Sequence, residues 1–497
     1  MDNRTKCTTR REFLKRTAFA ISAATFGAPV VLRSRSLATQ GRGSRRPNIV
    51  LLYSDDHTWT DLGCFGNTEI HTPNIDSIAA DGIKLTNFYA ASSVCTPCRS
   101  GLLTGRYPHR NGLYENIRNN MVNYNHQYTE LEYCFGPEMT QGLDVREVTI
   151  AQALNDGGYR TGIFGKWDSG RAPQYLPLQR GFDDFYGFCN TGIDYYTHER
   201  YGMPSLFRGN RRITEEGYAT DLFKREAIRF IEENKDEPFF LYVPFNAPYG
   251  ASNHDVQGAQ APPEYIRMYG ELPGTRRQRY MAAITCMDDA IGAILEKLAQ
   301  SGLEEETLVM FTADQGAGSN DPLRGGKGNF YEGGIRTPFV AKWPGHIPAG
   351  AVSDEFCSTL DLFPTFLSVA ETQPPENIIL DGYDILPVLT ELGESMRNKQ
   401  FWELRGKRGA RIGQWKWVLD TEDRWVFPDD ETGQLFDLST DKEEQHNLAT
   451  ERPDVLKAIK AEWDNWMIEM AAAEPRGPFS KAYFDKLGYG NGNYRLW

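Results

Sequence analysis

A cysteine motif near residue 95 contains the side chains of this chain that are best suited to chemistry. The sequence Cys95-Thr96-Pro97-Cys98-Arg99 places two cysteines with two residues between them. A thiol can serve as a nucleophile, a redox partner or a zinc ligand, or it can be a small buried apolar side chain. The redox alternative lacks a thioredoxin-like context, and the zinc alternative lacks a second Cys-x-x-Cys pair or a close pair of histidines. The residues around the motif therefore decide which chemistry it serves.

Acidic side chains follow two apolar runs of the sequence. Residues 48–53 predict a buried strand, and Ser54-Asp55-Asp56-His57 follows at once. A second apolar run, residues 307–313, is followed directly by Asp314 and Gln315. Open α/β sheets place their ligands at the carboxyl ends of such strands. This pattern favours a ligand site at one edge of a sheet.

The cysteine motif continues into Ser100-Gly101-Leu102-Leu103-Thr104-Gly105-Arg106. The combination resembles the signature of the type I sulfatases of the alkaline phosphatase superfamily, which include arylsulfatases and N-acetylgalactosamine-4-sulfatases. Five further segments follow the family's order between Pro47 and about Ala449. The resemblance implies a sulfuric ester hydrolase. It also implies that a formylglycine-generating enzyme oxidises Cys95 to formylglycine.

The resemblance gives the modified Cys95 a defined chemistry. A hydrated aldehyde is a geminal diol, one hydroxyl of which attacks sulfur to form a covalent sulfo-enzyme. Deprotonation of the other hydroxyl then regenerates the aldehyde and expels sulfate, so no water has to attack sulfur. Fixed positive charge must neutralise the transition state. Arg99, one helical turn beyond Cys95, suits this role and would hold the diol oxygens.

The resemblance also implies one Ca²⁺ per chain. Asp55 and Asp56 match the paired acids that hold a divalent cation in the family, and Cys95 contributes once modified. A hard cation requires several oxygen ligands, so Asp314 and Gln315 complete the expected set. Gln315 departs from the family's asparagine, since it keeps the amide oxygen but adds a methylene.

Two lysines match the residues that bind sulfate in the family. Lys166 lies in Gly165-Lys166-Trp167-Asp168, and Lys327 lies between glycines at residues 325–328. A lysine in such a loop can approach the leaving oxygen as a cation or as a general acid. Asp168 replaces the family's histidine, and a carboxylate beside sulfate would repel it unless it is paired with a cation such as Lys166.

A second departure from the family occurs at Phe245-Asn246-Ala247-Pro248-Tyr249, where a histidine is usual. Tyr249 can donate a hydrogen bond or a proton, although a phenol is ordinarily a weak acid. His198 and His254 are the alternative substitutes, and each can equally be an ordinary surface or core histidine. The leaving-group acid therefore stays open among these residues and Lys327.

Helical and extended patterns alternate along most of the chain. The predicted helices cover residues 72–82, 150–156, 218–234 and 277–301, and the predicted strands cover residues 48–53, 159–164, 239–245 and 307–313. The alternation predicts an α/β fold, and the resemblance implies the alkaline phosphatase-like form: a large, mixed, mostly parallel sheet sandwiched by helices, with a smaller C-terminal α+β domain. A strand at residues 412–419 and a helix at residues 453–470 are predicted in that smaller domain. The expected domains are residues 47–375, the catalytic domain, and residues 376–497, with an antiparallel sheet and a helix.

The N-terminal residues predict export. Thr9-Arg10-Arg11-Glu12-Phe13-Leu14-Lys15 has the twin-arginine pattern, an apolar stretch follows, and Ser36-Leu37-Ala38 offers a cleavage site. We expect a Tat signal peptide at residues 1–38, a linker at residues 39–46, and a periplasmic or secreted product of the Tat machinery. Some of the eight cysteines could then form disulfides. The net charge of −13 argues against a nucleic-acid partner.

The substrate expected from these features is a sulfated sugar or polysaccharide. Asp194-Tyr195-Tyr196-Thr197-His198-Glu199-Arg200 resembles a segment of N-acetylgalactosamine-4-sulfatases, and its tyrosines could stack on sugar rings or lie in the core. Two other functions are weighed: a phosphoric-ester hydrolase of the same superfamily, and a non-catalytic binder of sulfated glycans. Cys95 counts against the first, which typically uses Ser or Thr. The retained lysines and acids count against the second.

Overall fold

The computed structural model describes residues 45–117, 141–253, 255, 257–318, 320–421 and 432–473. The expected signal peptide lies outside the described residues, as do His254 and two of the cysteines. The strands in chain order are β1 (Asn48–Ser54), β2 (Ile83–Leu85), β3 (Phe88–Tyr89), β4 (Arg160–Lys166), β5 (Asp184–Phe188), β6 (Glu199–Arg200), β7 (Met203–Pro204), β8 (Leu206–Arg208), β9 (Arg211–Arg212), β10 (Phe239–Pro244), β11 (Thr307–Ala313), β12 (Phe339–Lys342), β13 (Ala351–Ser353), β14 (Cys357–Ser358), β15 (Lys399–Leu404), β16 (Lys407–Ile412), β17 (Trp415–Leu419) and β18 (Gln434–Asp437).

The helices connect these strands and cover both faces of the main sheet. They are α1 (Pro73–Ala80), α2 (Cys95–Thr104), α3 (Pro108–Asn111), α4 (Ile150–Asp156), α5 (Ala219–Asn234), α6 (Pro263–Tyr269), α7 (Arg276–Gln300), α8 (Glu332–Ile335), α9 (Leu362–Val369), α10 (Leu386–Glu391) and α11 (Pro453–Ala472). Short 3₁₀ turns lie at Gly63–Phe65, Pro173–Tyr175, Pro177–Gln179 and Thr359–Asp361.

The main sheet has ten strands in the order β13-β2-β12-β11-β1-β10-β4-β5-β8-β9. Its centre is parallel, because β1 pairs in parallel with both β10 and β11, β10 pairs with β4, and β4 pairs with β5. Antiparallel pairs lie further out on both sides, at β11 with β12 and at β5 with β8. The predicted α/β class with a large mixed sheet is confirmed.

Strand β1 shows why both faces of this sheet must be covered. All seven of its residues are buried. Successive side chains of a strand point to opposite faces, so Ile49 and Leu51 pack in one hydrophobic cluster while Val50 and Leu52 pack in another. A strand whose two faces are both buried has a continuous apolar sequence, and this is the pattern that predicted β1.

A second, four-stranded antiparallel sheet lies near the C-terminus in the order β15-β16-β17-β18. The predicted antiparallel strand at residues 412–419 is confirmed as β17 from residue 415 onward, but its start is wrong, because residue 412 belongs to β16 and pairs with residue 415 across a tight turn. Gly413 supplies the left-handed conformation (φ 56°) that this turn needs. The predicted helix at residues 453–470 is α11.

Side chains of β17 alternate between two buried surroundings. Trp417 and Leu419 pack against Trp463 and Trp466 of α11. Val418 packs with Phe330 and other residues of the segment 330–335, which precedes and forms α8. The C-terminal sheet therefore has one face on α11 and the other on a loop of the main domain.

Six cysteines lie within the described residues, and all six are free thiols, so none of them forms the disulfides considered above. Within the same part of the chain, no helix combines the length and apolar character needed to cross a membrane. The domain boundary near residue 375 stays a prediction.

Candidate active site

Four neighbouring parallel strands end at the same edge of the main sheet. Asp55 follows β1, Asp314 follows β11, Lys166 is the last residue of β4, and Tyr249 lies in the loop after β10. These strands are adjacent, so residues far apart in the sequence converge at their carboxyl ends.

Cys95 is the first residue of α2, and the helix begins against this edge of the sheet. The side chain is buried, with 2% of its surface exposed. Burial raises the pKa of the Cys95 thiol well above its ordinary value, and the carboxylate of Asp55 raises it further. The unmodified side chain is therefore a neutral thiol at physiological pH, which is a poor nucleophile.

Three carboxylates and three cations surround Cys95. Lys166 Nζ lies 2.6 Å from Asp55 Oδ2, and Lys327 Nζ lies 2.6 Å from Asp56 Oδ1. Arg99 Nη2 lies 3.0 Å from Asp314 Oδ2. Each acid thus contacts a cation, and Asp55 Oδ1 also lies 3.8 Å from Arg99 Nη2.

The thiol itself contacts residues of both signs. Cys95 Sγ is 3.5 Å from Asp55 Oδ1 and 3.3 Å from both Lys327 Nζ and Gln315 Nε2. Cys98 is turned away from this centre, with its Sγ 2.9 Å from the carbonyl oxygen of Ser92.

The closely spaced carboxylates are suited to binding a hard divalent cation. Burial, followed by the carboxylate of Asp55, raises the pKa of Asp314 to about 6. Ligand atoms of Asp55, Asp56 and Cys95 all lie within 4.8 Å of one another. A bound cation would stabilise the ionised carboxylates, which are the oxygen ligands that Ca²⁺ and Mg²⁺ prefer.

The amide of Gln315 adds to this fit. Its Nε2 contacts Asp56 Oδ1 and the thiol of Cys95, whereas its Oε1 is buried without a hydrogen-bond partner. A half-turn of the amide group would present Oε1 to the same position. The longer side chain of Gln315 therefore reaches the acidic cluster.

Asp56 is held in an uncommon backbone conformation (φ 57°). The backbone N–H of Asp56 donates to Asp314 Oδ1 at 3.0 Å, and the backbone N–H of Gln315 donates to the same oxygen at 3.0 Å. The first bond joins the loop after β1 to the loop after β11, and the second fixes the Asp314 carboxylate within its own loop.

Asp168 lies on the other side of Lys166. Its Oδ1 accepts a hydrogen bond from Thr96 Oγ1 at 3.0 Å, and its Oδ2 lies 3.6 Å from Lys166 Nζ. Burial raises the pKa of Asp168, and Lys166 opposes this effect. The acid that replaces the expected histidine is thus paired with the lysine, as its position beside a sulfate site would require.

Tyr249 lies between the two lysines. Its ring centroid is 5.0 Å from Lys166 Nζ and 4.6 Å from Lys327 Nζ, which are cation–π distances. Burial raises the pKa of the Tyr249 phenol, so it is protonated at neutral pH and is a weaker acid than an ordinary tyrosine.

The other candidates from the sequence lie apart from this centre. Tyr195 is buried, and its hydroxyl donates to the carbonyl of Tyr249 at 2.7 Å, so it supports the loop rather than a sugar ring. Tyr196 is 43% exposed. His198 is buried and makes none of the described contacts with Cys95 or the lysines, and His254 lies outside the described residues.

An open cavity of about 1,080 Å³ leads to this centre. Asp56 and Lys327 line it, together with Arg276, Arg324 and Gln434. The side chain of Lys327 is 12% exposed, whereas that of Lys166 is fully buried. An incoming molecule would therefore meet Lys327 first.

Comparisons with known proteins agree with this geometry. Residues 47–372 match the family described as Sulfatase, and residues 326–471 match the family described as N-sulphoglucosamine sulphohydrolase, C-terminal. N-acetylgalactosamine-6-sulfatase of Mus musculus is 34% identical over 449 residues, which cover 84% of this chain and 81% of the relative. Arylsulfatase A of Homo sapiens is 33% identical over 479 residues, covering 84% of this chain and 87% of the relative.

The structure is also similar to solved structures. The crystal structure of Ps i-CgsB in complex with k-i-k-neocarrahexaose superposes with a TM-score of 0.74 at 30% sequence identity. The alignment covers 85% of this chain and 93% of that chain.

Proposed function

Because the chain belongs to the sulfatase family and is a sulfuric ester hydrolase, we propose that it removes sulfate from a sulfated carbohydrate through a formylglycine formed from Cys95. The observation that carries this proposal is the position of Cys95 at the start of α2, within 3.5 Å of Lys327 and Asp55. Fixed charges of this kind suit a reaction in which negative charge moves from sulfur to a leaving oxygen.

The surrounding side chains have separate roles in this proposal. When present, the hydrated aldehyde supplies one hydroxyl as nucleophile and a second whose deprotonation releases sulfate. Arg99 and Lys166, both fully buried, hold the oxygens of the diol and of sulfate. Lys327 faces the cavity and donates a proton or a hydrogen bond to the leaving oxygen. Asp168 stays beside Lys166 and fixes the direction of its ammonium group.

A divalent cation, Ca²⁺, completes the proposed site. Asp55, Asp56, Asp314 and Gln315 would hold it together with the modified Cys95. The cation supplies positive charge that favours the ionised nucleophile and a bound sulfate. The crowded carboxylates and the buried Oε1 of Gln315 support this assignment.

Removal of the cation is expected to abolish turnover. A cation held only by the folded site adds about 2.7 kcal/mol to the free energy of unfolding at a concentration of 100 times its Kd. Chelated protein should therefore show a lower Tm, and titration with Ca²⁺ should restore both Tm and activity.

Two variants of Gln315 make this test specific. Gln315→Leu should weaken Ca²⁺ binding, measured by calorimetry, by about 10-fold or more, because one oxygen ligand is lost. Gln315→Asn keeps the amide oxygen and should bind more tightly than Gln315→Leu. Full activity in chelated wild-type protein, with no effect of Ca²⁺ on Tm, would contradict the cation assignment.

The proposed substrate is a sulfated sugar within or at the end of a polysaccharide. Relatives named for N-acetylgalactosamine-6-sulfate, and a similar structure bound to neocarrahexaose, support this class. The two alternatives considered from the sequence are less favoured. A phosphoric-ester hydrolase does not account for the match to the sulfatase family over residues 47–372, and a non-catalytic binder does not account for the complete set of charges around Cys95.

The twin-arginine pattern supports a further proposal, export by the Tat machinery to the periplasm or the medium. Replacement of Arg10 and Arg11 by lysine should retain the protein in the cytoplasmic fraction of cells that make the full chain. Equal export of this variant would contradict the proposal.

Mass spectrometry of the tryptic peptide that contains Cys95 tests the central proposal. Protein from its native host, or made together with a formylglycine-generating enzyme, should contain an aldehyde at this position. The same protein should release sulfate from a panel of 4-O- and 6-O-sulfated N-acetylgalactosamine and galactose derivatives. An unmodified thiol in protein that releases sulfate would exclude the formylglycine mechanism.

A further inference from the structure

We propose that Lys416 and Glu444, from the C-terminal sheet and the segment after it, are positioning residues that hold the loop of Lys327 in its catalytic place. The inference rests on the proposed role of Lys327 at the leaving oxygen. Neither residue touches Cys95, and nothing in their local sequence points to the active site.

Lys416 is a buried charge on a mostly apolar face. It lies on the same face of β17 as Val418, which packs with Phe330. Its side chain has no exposed surface. Its Nζ lies 2.7 Å from Glu332 Oε1 and 2.8 Å from Glu444 Oε1. One lysine therefore joins two buried carboxylates, one from α8 and one from the segment after β18.

Glu444 contacts the chain on both sides of Lys327. Its Oε2 accepts a hydrogen bond from the backbone N–H of Glu332 at 2.6 Å, and its backbone carbonyl accepts one from Arg324 Nη1 at 3.1 Å. Arg324 comes three residues before Lys327, and Glu332 comes five residues after it. Glu444 therefore binds the chain both before and after Lys327.

Further contacts of Glu332 hold these residues in place. Its Oε2 accepts from Tyr89 Oη at 2.7 Å and lies 3.0 Å from Arg336 Nη1. Removing one member of a buried charge network leaves the others unpaired at low dielectric, so the structure has to rearrange. Rearrangement here would move the ends of the Lys327 loop.

The consequence for catalysis depends on the leaving group. Lys327 matters most where the departing oxygen is strongly basic, as in a sugar alcohol. It matters least for 4-nitrophenyl sulfate, because nitrophenolate leaves without a proton. A displaced Lys327 should therefore lower activity on a sugar sulfate much more than activity on the nitrophenyl ester.

The experiment measures kcat/KM of full-length, modified enzyme on N-acetylgalactosamine-6-sulfate, or on the best sugar sulfate of the panel, and on 4-nitrophenyl sulfate. Lys416→Met and Glu444→Ala should lower the value for the sugar sulfate by about 100-fold, the loss expected from a misplacement of about 1 Å. The value for 4-nitrophenyl sulfate should fall by less than about threefold. Glu444→Gln, which keeps an acceptor for the Glu332 N–H, should be affected less than Glu444→Ala.

Arg397→Met is the matched control. Arg397 forms a buried ion pair with Asp361, and that carboxylate accepts from the backbone N–H groups of Tyr383 and Ser358 instead of from the Lys327 loop. This variant should lower Tm while changing both kcat/KM values by the same factor. Lys416→Arg, which retains the charge, should recover more of the sugar-sulfate activity than Lys416→Met.

The positioning role would be overturned if a variant lost the same factor of kcat/KM on both substrates. It would also be overturned if either Lys416→Met or Glu444→Ala kept its full activity on the sugar sulfate. If Lys416→Met does not fold, Glu444→Ala provides the same comparison of substrates. Failure of the proposed function gives a different result, since wild-type protein would then hydrolyse neither ester or would lack the aldehyde.

Discussion

Replacement of Cys95 by alanine is expected to reduce kcat by about 10⁶-fold, the scale found when a covalent nucleophile is removed from an enzyme. The proposed formylglycine cannot form without this side chain, and no other described nucleophile lies between Lys327 and Asp55. Residual sulfate release is expected from the fixed charges alone. Single-turnover assays with 4-nitrophenyl sulfate measure this difference.

Cys98→Ala is the matched control for this variant. Cys98 is a buried thiol on the same helix, and its Sγ points to Ser92 instead of the acidic cluster. We expect the aldehyde at Cys95 and nearly full activity in Cys98→Ala. Unchanged turnover in Cys95→Ala would contradict the assignment of the nucleophile.

Replacement of Lys327 by alanine is expected to have the second largest effect. A positioned proton donor contributes about 10²- to 10⁴-fold, so kcat/KM for a sugar sulfate should fall by that factor. The fall should be much smaller for 4-nitrophenyl sulfate. Burial alone would lower the pKa of Lys327, but the surrounding groups, Asp56 first among them, together raise it well above its ordinary value. The ammonium group is therefore charged and available at neutral pH.

Tyr249→Phe distinguishes the contribution of the Tyr249 hydroxyl from that of Lys327. The substitution keeps the ring that lies 4.6 Å from Lys327 Nζ and removes only the hydroxyl. Because burial makes this phenol a weaker acid, we expect less than about a 10-fold change in turnover. Unchanged turnover in a Lys327→Ala and Tyr249→Phe double variant would defeat both acid assignments.

Much of the site could be predicted because its signals are local. Apolar runs followed directly by acids predicted that Asp55 and Asp314 lie at the carboxyl ends of strands, and the parallel pairing of β1 with β11 brings them together. The spacing of Cys95 and Arg99 on one helix is equally local. The hairpin around Gly413 was missed because alternation of side chains continues on both sides of a two-residue turn.

Contacts between distant segments could not be predicted in the same way. Lys416, Glu332 and Glu444 come from three separate parts of the chain. The sequence around each of them contains no pattern that predicts which residue it pairs with. Asp168 is a similar case. From the sequence it is an acid next to a lysine, and only the fold shows that Thr96 fixes its other oxygen.

The burial of Cys95 imposes an order of events on biosynthesis. In the finished fold an enzyme could not reach a side chain that is 2% exposed. β10 and β11, which enclose the site from the sheet side, are synthesised after Cys95. At about 5–20 residues per second this leaves an interval of roughly tens of seconds. Under the proposed function, oxidation of the thiol therefore precedes closure of the sheet, and faster folding would lower the active fraction without changing any contact in the native state.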